Sequence, residues 1–197
     1  MKNPGRGCWW LLLMGLVLSG CAPTPYVVVT PLGSRPLERP AIVVTEVVDG
    51  IPADVPVSDH PTPEALGKLR GYLFKDLNDL EMQQAGIVSV RGPKMSPFST
   101  VAFGSSDSTV ADKTLLVSAR VLSYKHGSRA ARYFIGFGAG KGEVLVQLKI
   151  REQGRPDDVF VGNFKGAITG GVFGGSEDVP FHAVSENFAE MLRKNWK

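Results

Sequence analysis

Glu143-Val144-Leu145-Val146-Gln147-Leu148-Lys149-Ile150-Arg151 decides the architecture. Val144, Val146, Leu148 and Ile150 recur at every second position, with Gln147 and Lys149 between them. Successive side chains of a strand point to opposite faces, so this period places an apolar row on a core and a polar row toward water. A sheet with one wet face is the natural home of such a strand. The neighbouring segments read the same way. Leu115 to Tyr124 puts Leu115, Val117, Ala119 and Val121 on one side. Val159 to Ile168 follows a turn at Gln153-Gly154-Arg155-Pro156-Asp157 and ends in glycine pairs at 170–171 and 174–175. The three runs predict a meander of antiparallel strands.

Two helices flank it. Before the first, Thr62 is a candidate N-cap, Pro63 suits the first helical position and Glu64 complements the helix dipole. Leu66, Leu69, Leu73, Leu77 and Leu80 then fall at spacings of three and four, and Gly86 is placed as a left-handed C-terminal cap. The second helix is expected from about Pro180 to Asn195, with the stripe Phe181, Val184, Phe188, Met191 and Leu192. Ala41 to Val48 reads as an opening strand, closed by Asp49-Gly50, and Ile87 to Val90 as a short one. Residues 92–113, rich in Ser, Thr, Pro and Gly, read as a loop. The expected domain is α+β. It has one mainly antiparallel sheet of about five strands, with both single-striped helices packed on one face.

The N-terminus carries an address. Lys2 and Arg6 precede an uncharged run from Trp9 to Val17, the order of a secretory signal. The run is too short for a bilayer-spanning helix, which needs about 20 apolar residues. It ends at Leu18-Ser19-Gly20-Cys21, which resembles the lipobox of bacterial lipoproteins. That resemblance implies a signal peptide over 1–20, cleavage before Cys21 and lipid on its thiol. Ala22 next to the cysteine implies the outer membrane, with the domain on its periplasmic face. Two or more acyl chains hold a protein on a bilayer without any spanning segment. Pro23, Pro25, Pro31, Pro36 and Pro40 make 21–40 read as an extended tether, although Tyr26 to Val29 also fits a short edge strand. The single domain is expected over 41–197.

Charge and cysteine content exclude several functions. The formal charge of +3 falls to +1 once Lys2 and Arg6 are removed, so nucleic-acid binding has no electrostatic support. Cys8 lies in the signal, which leaves Cys21 as the only cysteine of the mature chain. An internal disulfide, a cysteine zinc site and a free catalytic thiol are therefore ruled out. His60, His126 and His182 show no metal-ligand spacing, and no cofactor or metal is expected. No convergent set of acid, base and nucleophile stands out.

The stretch from Lys125 to Gly142 joins two strands that a two-residue turn would have joined, so its length suggests use. It contains Arg129, Arg132, Phe134, Gly136, Phe137, Gly138, Ala139, Gly140 and Lys141. It is not a Walker A loop, because Ile135 and Gly142 stand where that motif needs Gly and Ser or Thr. It is not a dinucleotide fingerprint, because a strand and not a helix follows. The pattern R-x-x-R followed by G-F-G-A-G-K resembles a family of uncharacterised bacterial lipoproteins, classed as a domain of unknown function. The likeness extends over roughly 41–195 and is sharpest over 127–150. The element order more distantly resembles the periplasmic domain of the curli-secretion channel lipoprotein. Neither resemblance implies an activity. Two readings of the hairpin stay open. Tyr133, Phe134, Ile135 and Phe137 plug the domain's own core, or the aromatic and glycine run forms a contact surface for an envelope partner or a second copy. The expected function is a non-catalytic envelope binding or assembly module. An envelope enzyme with an unidentified site is the alternative.

Overall fold

A computed structural model describes residues 25–33, 39–83, 94–105, 113–126, 142–167 and 179–196. Among these residues, eight strands and two helices follow in the order β1 (Tyr26–Thr30), β2 (Ala41–Asp49), α1 (Pro63–Asn78), β3 (Met82–Gln83), β4 (Lys94–Met95), β5 (Thr100–Phe103), β6 (Thr114–Lys125), β7 (Glu143–Glu152), β8 (Asp158–Ala167) and α2 (Val179–Asn195). A 3-10 turn at Val57–Asp59 precedes α1. Six strands form one sheet in the order β1-β8-β7-β6-β2-β5, and β3 pairs with β4 apart from it.

The meander stands as the alternation predicts. β7 alternates between half-buried and buried along Glu143 to Ile150. It pairs antiparallel with β6 and β8, Val117 facing Ile150 and Val146 facing Phe164. Its apolar row joins Leu69, Leu73 and Leu77 of α1 and Phe181, Val184, Phe188 and Leu192 of α2 in one core, so both helices cover the same face. β8 sends Phe160, Gly162 and Phe164 to that face in a large-small-large sequence. Phe188 packs across the two rings, with centroids 6.0 Å from Phe160 and 5.4 Å from Phe164. A Cβ at Gly162 would lie 2.7 Å from the Phe160 ring, so only glycine lets the rings close over it.

The sheet departs from the expected one in two ways. It is mixed, not mainly antiparallel, and it has six strands. β2 runs parallel to both β6 and β5. A parallel pair needs a crossover, and α1 lies in the chain between β2 and β5. The burial of β2 accords with an interior position between two parallel neighbours. Residues 41–45 are all buried and do not alternate, the mark of a strand covered on both faces. β5 sits within the stretch expected to be loop; at four residues it is too short to show a period. Within the expected tether, Tyr26–Thr30 is instead an edge strand, antiparallel to β8, and Tyr26 packs on Phe164 at 5.4 Å.

α1 starts where its cap predicts. Thr62 accepts a hydrogen bond from the Ala65 N–H at 3.2 Å. It ends earlier than Gly86. Asp79 closes it, donating its N–H to the Lys75 carbonyl at 2.9 Å while its carboxylate pairs with the Lys75 ammonium at 3.0 Å. Leu80 is fully buried from outside the helix. The strand expected at Ile87 to Val90 lies outside the described residues. No helix among the described residues is long and apolar enough to cross a membrane.

Candidate functional site

Three features of the described surface have the geometry to bind. The first is the sheet face opposite the helices. Gln147, Lys149 and Arg151 line up there on β7, next to Arg120 and Ser118 of β6. They floor an open groove of about 790 Å³. Lys149 pairs with Asp158 at 2.8 Å, and Gln147 donates to the Asn163 side chain at 3.4 Å. At the break in register along β2, Thr45 donates its hydroxyl to the Val117 carbonyl at 2.9 Å, a side-chain tie between β2 and β6. The groove is polar and carries both signs of charge.

The second is a hollow of about 360 Å³ beside the start of α1, where His60, Thr62, Glu64, Lys68, Tyr124 and His126 meet. His60 Nδ1 lies 2.6 Å from Asp49 Oδ2, and its Nε2 lies 3.3 Å from the Val55 carbonyl. The Asp49 hydrogen bond, helped by that carboxylate's charge, holds the imidazole above its usual 6.5. Tyr124 reaches His126 at 3.3 Å and stacks on Phe181. The three histidines, scattered in sequence, are therefore two and one in space. His182 stands apart, 4.8 Å from the Tyr72 ring. Sequence spacing missed the His60–Asp49 pair because its members sit at the two ends of a Pro-containing loop. Among the described residues, no three His, Cys, Asp or Glu side chains converge as metal ligands.

The third feature is the pair of sheet edges. β1 exposes Val27 by 64% and Val29 by 61%, with Val28 between them also exposed. β5 exposes half of Phe103. That ring stacks on Phe74 at 4.4 Å and lies under the Arg70 guanidinium at 5.0 Å. Arg70 also donates to the carbonyls of Val44 at 3.3 Å and Gly104 at 3.2 Å, which ties the end of β5 to β2.

The residues singled out from sequence lie outside the described residues: Cys21, and in the hairpin Arg129, Arg132, Phe134, Gly136, Phe137, Gly138, Gly140 and Lys141. The roots of that hairpin are described. Lys125 of β6 and Glu143 of β7 face each other at the end of the two strands.

Residues 101–179 match the model of a domain of unknown function, DUF4410. The match agrees with an uncharacterised domain family as the expected relationship. It does not bear on lipid attachment or on the R-x-x-R and glycine pattern. No curated protein matches the chain. Among solved structures, the fold is similar to that of a variant PelC dodecamer from Paraburkholderia phytofirmans, with a TM-score of 0.52 and 11% identity over 85% of this chain and 97% of that one. A second crystal form of the PelC dodecamer from the same organism gives a TM-score of 0.48 and 12% identity over 87% and 98% of the two chains. A DUF330 protein from Xanthomonas campestris gives 0.42 and 14% over 86% and 91%. At such identities the likeness speaks to the fold alone.

Proposed function

We propose that the chain is a lipoprotein, anchored through Cys21 on the periplasmic face of the outer membrane, that works without catalysis as a self-associating envelope binding or assembly module. The observation that carries this reading is the open sheet edge at β1, three exposed valines in a row. Exposed apolar edge strands invite pairing with another chain, and stable proteins cover them. PelC, whose fold is similar, is a dodecamer, and self-association comes to this chain as part of the proposal. The segment 125–142 is the second contact element, its aromatic and glycine run reaching a partner from the end of the β6–β7 pair.

The anchor acquires a geometry from β1. Only four residues separate Cys21 from Tyr26, and the five steps span about 18 Å at full extension. The lipid would hold the first strand close to the bilayer surface. Cys21→Ser tests the anchor: incorporation of a labelled fatty acid should vanish and the precursor should accumulate uncleaved. Equal labelling of mutant and wild type refutes it. A photoreactive residue at Phe137 tests the hairpin. It should capture a second copy or one envelope protein in cells, and no capture removes 125–142 from the proposal.

A second reading, an envelope enzyme, draws on the hollow beside His60, where a histidine held by a carboxylate meets a second histidine and a tyrosine. A His60→Gln strain that behaves as a deletion of the whole chain does, with assembly intact, would favour it.

A further inference from the structure

The six-stranded sheet stops at β1 on one side and β5 on the other, and no described strand lies beyond either. At β1 the hydrogen bonding can be followed residue by residue. The Lys165 N–H donates to the Pro25 carbonyl at 2.8 Å, and Tyr26, Val27 and Val28 face Phe164, Asn163 and Gly162 in turn. Along an antiparallel pair, backbone groups point alternately toward the partner and away from it. Residue 25 bonds inward, so Val27 does too. Tyr26 and Val28 therefore turn their N–H and C=O groups outward, away from β8.

The directions of the two edges are complementary. β6 is parallel to β2, and β2 to β5. From β6 through β7 and β8 to β1, every pairing is antiparallel. Three reversals leave β1 running opposite to β5. Two copies standing side by side in the same orientation thus bring a β1 edge to a β5 edge in antiparallel sense.

We propose that β1 of one copy adds antiparallel to β5 of the next, so that the sheet continues from chain to chain in a head-to-tail assembly. The inference rests on the self-associating, anchored reading above and names its surface. The short span between Cys21 and Tyr26 gives every copy on the leaflet its β1 at a similar height. Confinement to one surface raises the effective concentration of one edge for the other. Head-to-tail addition covers both edges in each copy. A two-fold pair made from β1 twice would leave β5, with its half-exposed Phe103, uncovered.

The test uses the full-length lipoprotein in its membrane. Val29 and Thr100 are exposed and sit at the same end of the proposed antiparallel pairing, the C-terminal end of β1 beside the N-terminal end of β5. Copies carrying Val29→Cys and copies carrying Thr100→Cys are produced together and treated with a short bis-maleimide. A two-chain product should form in the mixture and be absent when either variant is alone. A chain carrying both substitutions should give a ladder beyond two chains. Crosslinking of Val29→Cys alone overturns the proposal in favour of a two-fold β1 pair. No product from the mixture, with both variants lipid-labelled and folded, overturns it as well. Reaction of wild-type Cys21 with maleimide marks a free thiol and refutes the anchor, while the mixed product still judges the edges. Val28→Pro gives an independent measurement. The Val28 N–H points outward, so proline there removes no bond within the domain and is tolerated on an edge. The variant should keep the wild-type unfolding midpoint and lose assembly. Retained assembly contradicts the proposal.

Discussion

Gly166 shows how closely single residues constrain this domain. It lies on the core face of β8, and a Cβ there would collide with the Pro180 carbonyl in the first turn of α2. The helix rests on bare backbone. Gly166→Ala should push that turn off the sheet and cost about 1–3 kcal/mol, as overpacking does. Denaturant unfolding measures it, and an unchanged midpoint means that α2 shifts freely. His60 makes the second residue-scale prediction. Its hydrogen bond to Asp49 raises the folded-state pKa above 6.5. A raised pKa stabilises the fold fully below the unfolded value and loses that contribution as pH rises through the folded one. The loop between β2 and α1 should therefore be held most firmly in mild acid and loosen as His60 deprotonates. Following the His60 ring signals by NMR should give a midpoint above 6.5, and Asp49→Asn should bring it down toward about 6.5. A wild-type midpoint at or below that value removes the pair from the account. The Asp49–His60 pair was not legible in the sequence, because nothing in spacing announces that a strand end and a loop eleven residues on will meet.

At the scale of elements, α2 carries the clearest energetic claim. Phe188 is fully buried and packs on both Phe160 and Phe164. Phe188→Ala should destabilise the domain by about 3–5 kcal/mol, the usual cost of emptying such a site. A loss below about 1 kcal/mol would mean that α2 is peripheral. This helix, the Thr62 cap, and the alternation of β7 were readable because each rests on local chemistry: a stripe, a hydroxyl, a period of two. Strand pairing is not local. Ala41 to Val44 showed an unbroken apolar run, which signals burial on both faces, but not which strands lie alongside. Thr100 to Phe103 was hidden among Ser and Pro and is fixed by tertiary contact with β2 and by Arg70, which holds its end. Tyr26 to Thr30 is a strand despite its flanking prolines, because a sheet edge asks only half of its N–H groups to bond. The hairpin residues Arg129 to Lys141 and Cys21 lie outside the described structure, so their roles rest on the sequence pattern.

At the scale of the whole molecule, the two helices close one face of the sheet, and among the described residues the strand order is open at both ends. One end exposes valines and the other half of a phenylalanine. A lipid at Cys21 would bring identical copies to one surface, side by side, where edges running in opposite directions can meet. The proposed assembly would draw on shape, backbone hydrogen bonding and confinement. The account stands or falls on whether the protein assembles. The direct measurement is the protein mass of the full-length lipoprotein, extracted in mild detergent, by light scattering with the detergent contribution subtracted. The account predicts a discrete species of several chains that falls to one chain in Val28→Pro. A wild-type mass of one chain at every concentration measured would contradict it.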